Sequence, residues 1–99
     1  MPLFAIHCLD KPESGALRAQ TRALHLDYLA GLATRIFTAG PLLDLEGAPI
    51  GSLLIVNCAD RRAAYQFAAD DPYSLAGLFQ SVAITAWKQV YPSESPPRA

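Results

Sequence analysis

The stretch Arg35–Cys58, RIFTAGPLLDLEGAPIGSLLIVNC, decides the fold. Arg35–Ala39 is β-branched and aromatic, the composition of a strand, and Gly40-Pro41 is expected to stop it. Residues 42–51 carry Asp44, Glu46-Gly47, Pro49 and Gly51, which read as a hairpin excursion. Ser52–Cys58 returns as a strand that is apolar on both faces, so both faces need cover.

The flanks repeat a simpler unit. Upstream, Glu13–Thr34 holds no proline and is rich in Ala, Leu, Arg and Gln, which predicts one long helix capped near Ser14. Leu17, Leu24, Tyr28 and Leu32 recur at helical spacing and are expected to form its core stripe. Before it, Leu3–Leu9 (LFAIHCL) has the length of a strand, with Phe4, Ile6 and Cys8 on one face and Leu3, Ala5, His7 and Leu9 on the other. Downstream, Asp60 caps a second helix from Arg61 to about Ala69, with Ala64, Phe67 and Ala68 inward. Asp70-Asp71-Pro72-Tyr73 ends it, because the residue before a proline avoids helical geometry. A short segment, Ser74–Phe79, leads to a last strand over Gln80–Val90. The order β-α-β-β-α-β is the ferredoxin-like plan, an α+β fold with a four-stranded antiparallel sheet and both helices on one face. Residues 1–91 make one domain, and Pro92–Ala99 (PSESPPRA), proline-rich with little to bury, is expected to be a disordered tail.

Composition sets the outer limits. Of 99 residues, 52% are hydrophobic and 17% charged, too apolar for a disordered chain. Eight Lys/Arg against nine Asp/Glu leave a net charge of -1, without the basic footprint of a nucleic-acid or anionic-membrane binder. No apolar run is long enough to span a bilayer, and the first residues lack the pattern of a signal peptide, so a cytoplasmic protein is expected. Cys8 and Cys58 are too few for a disulfide framework and are not spaced as a metal knuckle. They are expected to be buried free thiols, too far apart along antiparallel strands to bond. A low charged fraction and strands apolar on both sides point to a homodimer closed through the open sheet face.

The topology gathers His7, Gly40-Pro41, Gly51-Ser52 and the Asp71-Pro72-Tyr73 turn near one end of the sheet. The first helix passes over that end carrying His25, with Arg22 three residues before it on the same face and Arg18 one turn further back. Asp27 points elsewhere. A general-base histidine needs a carboxylate to hold its ring and tautomer, and Asp71 is the candidate; the plainer alternatives are a solvated helix histidine and an Asx turn. Arg22 and Ser52 are candidate ligand-positioning groups, with Pro41 and Tyr73 as candidate walls. No P-loop, dinucleotide fingerprint, nucleophile elbow or metal-ligand spacing occurs. Chemistry without metal or cofactor is what remains.

The run Arg22-x-x-His25, then Ala39-Gly40-Pro41-Leu42-Leu43, Pro49-Ile50-Gly51-Ser52, and Asp71-Pro72-Tyr73 before Ala76-Gly77-Leu78, resembles the YciI-type (YCII domain) family over about residues 2–91. That resemblance implies a dimeric α+β barrel, similar to muconolactone isomerases and to a dehydrochlorinase of aromatic degradation. It also implies a His–Asp site, which falls on His25 and Asp71. Two readings follow. One is a small cofactor-independent lyase or isomerase moving a proton on a small organic acid or aromatic metabolite. The other is a non-catalytic ligand-binding or regulatory dimer module, with a domain acting mainly through its dimer face as a third possibility.

Overall fold

The computed structural model describes residues 2–92. Its elements run β1 (Leu3–Asp10), α1 (Gly15–Gly31), a 3-10 turn at Ala33–Arg35, β2 (Ile36–Leu43), β3 (Pro49–Asn57), α2 (Arg61–Asp70), α3 (Pro72–Leu75) and β4 (Phe79–Trp87). The four strands form one antiparallel sheet in the order β2-β3-β1-β4. This is the ferredoxin-like arrangement expected from the strand and helix rhythm. The expected tail lies, beyond Pro92, outside the described residues.

The alternation of β1 holds: Phe4, Ile6 and Cys8 are buried against Leu54, Val56 and Ile84 of its neighbours, and Ala64, Phe67 and Ala68 of α2 close over them. Tyr28 and Leu29 of α1, with Leu32 just after it, pack on the same core, so both long helices cover one face. The Asp60 carboxylate accepts the Ala63 N–H and caps α2. Cys8 sits opposite Ser52, whereas the Cys58 N–H bonds the carbonyl of Pro2 at the other end of β1; both thiols are buried and free.

Several expectations need correction. Gly40-Pro41 does not stop β2, which continues to Leu43 with Pro41 opposite Ser52. An edge strand tolerates proline because a missing N–H on its outer side breaks no ladder bond. The hairpin is accordingly tighter, turning over Asp44–Ala48. The Asp44 carboxylate accepts the N–H groups of Glu46 and Ala48, and Gly47 takes a φ of 88°. Ser14 occupies the cap position of α1, but its hydroxyl bonds the Pro12 carbonyl instead of a helical N–H. The segment after Pro72 forms a one-turn helix, and β4 ends at Trp87.

The largest correction concerns α1. Leu24 is 61% exposed, and the fully buried residues of this helix are Arg18, Thr21 and His25. The helix turns a polar stripe toward the sheet over its first three turns and an apolar one only near its end. His7 is also placed differently: it lies mid-strand, opposite Leu53 and Ala83, exposed on the sheet face away from the helices.

Candidate active site

Because the N-terminal half of α1 faces the sheet with polar side chains, it does not close onto β2 and β3, and a cavity of about 420 Å³ remains between them. That volume falls within the range of small-molecule sites. The walls are apolar where Leu26, Leu29, Ala39, Pro41 and Leu54 contribute, and polar where Arg18, Arg22, His25, Ser52 and Tyr73 do. Five of the six expected site residues therefore line one space. The sixth, Asp71, stands behind His25.

Asp71 is placed by the end of α2. Pro72 cannot continue that helix, the backbone turns extended at Asp71, and its side chain caps α3 by accepting the Tyr73 N–H at 2.9 Å. The same carboxylate, 2% exposed, receives the His25 imidazole: Nδ1 lies 2.9 Å from Oδ1 and 3.0 Å from Oδ2. An ionised carboxylate only accepts, so Nδ1 carries a hydrogen, and in the neutral ring Nε2 keeps its lone pair. The ring is also stacked on Tyr73, centroids 4.1 Å apart at 20°. Hydrogen bond and stacking together fix its orientation. The Asx turn and the histidine partnership thus coexist in one side chain.

Arg18, 6% exposed, forms the second polar unit. Its Nε donates to Asp10 Oδ2 at 3.0 Å, and its Nη2 donates to the Gly51 carbonyl and to Ser52 Oγ, the latter at 2.6 Å. The guanidinium carbon lies 4.6 Å from the centre of the Tyr73 ring. Asp10 Oδ1 is buried without a partner, and burial pushes this carboxyl above its ordinary range while Arg18 opposes the shift. Burial likewise pushes the Tyr73 phenol up, against Arg18 and Arg22.

Among the described residues Asp10 Oδ1 is the sole sealed side-chain nitrogen or oxygen lacking a partner. His25 Nε2, Arg18 Nη1 and the Tyr73 hydroxyl make no hydrogen bond with the described residues, so they are not sealed in protein, and all three residues line the cavity. Arg22 also lines it and forms no ion pair among the described residues. The Arg18–Asp10 pair was not anticipated. The available signal was the seven-residue spacing from Arg18 to His25, which puts both on one helix face, and the position of Asp10 at the end of β1. No group of three His, Cys, Asp or Glu among the described residues is arranged to hold a metal ion.

The fold and site together define a ferredoxin-like α+β domain whose helix-to-sheet cavity is backed by a buried histidine–carboxylate pair. A family model described as the YCII-related domain matches residues 2–88. The protein YciI of Escherichia coli O6:H1 is 33% identical over 97 positions, covering 90% of this chain and 99% of that protein. An uncharacterized Haemophilus influenzae protein is 32% identical, covering 89% and 98%. The solved structure of 5-chloro-2-hydroxyhydroquinone dehydrochlorinase from Burkholderia phenoliruptrix AC1100, in complex with 2,5-dihydroxybenzoquinone, superposes with a TM-score of 0.83 at 33% identity. It covers 88% of this chain and 94% of that one. The chain belongs to the YCII-related family.

Proposed function

We propose that this protein is a small enzyme of lyase or isomerase type that moves a proton on a hydroxylated ring compound or small organic acid, with His25 as the base and Asp71 as the group that orients it. The observation that carries the reading is the buried Nδ1–carboxylate pair of a histidine that lines the cavity and whose Nε2 makes no hydrogen bond among the described residues. The similarity to a dehydrochlorinase supports it. His25 Nε2 takes a proton from the ligand; the electron pair left behind either expels a leaving group such as chloride or is reprotonated elsewhere on the molecule. Asp71 stabilises the imidazolium that forms. Arg22 and Ser52 position the ligand between the apolar walls of Pro41 and Leu54. Acid–base assistance of this kind contributes about 10²–10⁴-fold, and positioning in the cavity supplies the remainder.

The test is turnover of 5-chloro-2-hydroxyhydroquinone and a panel of hydroxy- and halo-aromatic acids, read by chloride release and ultraviolet absorbance. Wild type is expected to turn over at least one compound, and His25→Gln to lose about two orders of magnitude or more with unchanged circular dichroism. Full activity in His25→Gln refutes the assignment. Saturable binding with no turnover replaces it by a ligand-binding module.

Self-association belongs to the same proposal. Leu9, Phe37, Leu53 and Trp87 are exposed on the sheet face opposite the helices, with Phe37 and Trp87 ring centres 6.1 Å apart. A second copy laid on that face buries them. Sedimentation at micromolar concentration tests this, and a monomer refutes it. No helix of the described residues is long and apolar enough to cross a membrane.

A further inference from the structure

Arg18 is held on several sides and open on one. Asp10 takes Nε, the Gly51 carbonyl and Ser52 Oγ take Nη2, and the Tyr73 ring lies against the guanidinium plane. A guanidinium that only braced the fold would spend its donors on protein acceptors, since a desolvated cation is costly where its hydrogens go unused. Here Nη1 meets no acceptor among the described residues and is not sealed in protein, and Arg18 lines the same cavity as His25. Both groups touch the one Tyr73 ring, which bounds their separation to less than about 9 Å. A ligand that meets both groups does so from the cavity that Arg18, His25 and Tyr73 all line.

We propose that Arg18 is an oxyanion anchor: its Nη1 edge, with the Tyr73 hydroxyl nearby, binds the ligand oxygen that takes up negative charge when His25 removes a proton. The assignment rests on the proton-transfer reading and adds a constraint on the substrate. An O–H or C–H bond of the ligand breaks, an N–H bond forms at His25 Nε2, and the electron pair moves through the conjugated ring onto the oxygen bound by Arg18. The hydrogen removed must therefore be conjugated with an oxygen, as in phenols, enols and their vinylogous relatives. Charge forming on an oxygen already facing a fixed cation needs no reorganisation of the site, which is the condition for strong electrostatic stabilisation. Asp10 and Ser52 position Arg18 and do not themselves bear the developing charge. The Ser52 hydroxyl accepts from Arg18, which leaves its own hydrogen available to the same oxygen.

The test uses the full chain and two chromophoric probes of one skeleton. The first is 4-nitrocatechol, which carries a phenolate at mildly alkaline pH; the second is its dimethyl ether, which cannot. Titration of wild type is expected to show 4-nitrocatechol bound about tenfold or more tightly than the ether, the scale of a charge-assisted hydrogen bond. Arg18→Lys keeps the charge and loses the Nη1 edge, and is expected to cut that preference to about threefold or less. His25→Gln is expected to retain it. Equal binding of the two probes to wild type overturns the anchor and requires no variant to fold. Retention of the full preference in Arg18→Lys, with a melting curve like that of wild type, overturns it as well. Failure of the two proposals is separable. Turnover that depends on His25 beside equal binding of both probes removes the anchor alone. An Arg18-dependent phenolate preference without turnover of any compound removes the proton-transfer reading alone.

Discussion

Replacing Gly51 by alanine puts a methyl group where the structure has no space for one. An added Cβ would stand 2.3 Å from the backbone oxygen of Cys8 and 3.0 Å from Leu42 Cδ1. Leu42 can rotate, but the Cys8 carbonyl belongs to β1, a central strand, and cannot move without parting β1 from β3 next to the cavity. Overpacking a well-filled site costs about 1–3 kcal/mol, and a clash with backbone lies at the upper end. For a domain of this size each kcal/mol lowers Tm by about 4–8 °C, so Gly51→Ala is expected to melt roughly 12–24 °C below wild type. Gly40→Ala supplies the comparison, because nothing lies within 4 Å of the Cβ it adds. It is expected to stay within about 1 kcal/mol of wild type and to gain slightly from a stiffer unfolded chain. Calorimetry or circular-dichroism melts on the three proteins decide the matter. The Gly51 carbonyl also accepts from Arg18, so 4-nitrocatechol binding is expected to weaken together with stability. A Gly51→Ala protein that melts within a few degrees of wild type refutes the argument, since β1 would then have moved aside at little cost.

Asp60→Ala removes the acceptor for the Ala63 N–H and is expected to cost about 1 kcal/mol, most of it restored by Asp60→Ser; urea melts check both values. Burial, with Asp71 and Asp10 nearby, pushes the Cys8 thiol up to about 12, so Cys58→Ser protein is expected to react with a thiol reagent at pH 8 only after unfolding. Asp10 is raised above 3.8, chiefly by burial. A carboxyl raised in the folded state contributes stability that is fully present below 3.8 and is lost as pH climbs through the raised value. Wild type is therefore expected to lose stability relative to Asp10→Asn across that rise, and a stability difference independent of pH from 3 to 7 contradicts the burial of this group.

The strands were readable because their apolar runs were short, separated and bounded by turn residues, and α2 because Asp60, Ala64, Phe67 and Ala68 fit a capped amphipathic helix without exception. Pro41 was misread because a proline stops a central strand but sits freely in an edge strand, and edge position follows from strand order, which no local pattern contains. The expected helix stripe failed at Leu24, though Tyr28 and Leu32 do reach the core, and for a different reason. Periodicity assumes that the inward face is the apolar one, and α1 reverses the rule where it roofs a cavity. His25 and Asp71 could be paired from the sequence because the topology brings the middle of the first long helix over the turn before β4. Arg18 was passed over because a buried arginine is rare, and its partner Asp10 resembled an ordinary strand-ending residue.

Since α1 meets the core through Tyr28 and Leu29, with Leu32 just beyond its end, and roofs the cavity with Arg18, Arg22 and His25, the two ends of one helix answer to different constraints. Substitutions in its first half alter what the cavity recognises while leaving the oily interface with α2 and the sheet intact. Arg22, exposed and without an ion pair among the described residues, can change there at little cost to the fold, whereas Arg18 and His25 are tied to the buried Asp10 and Asp71. A domain that divides its labour this way can diversify its chemistry as freely as one that keeps its active site on loops.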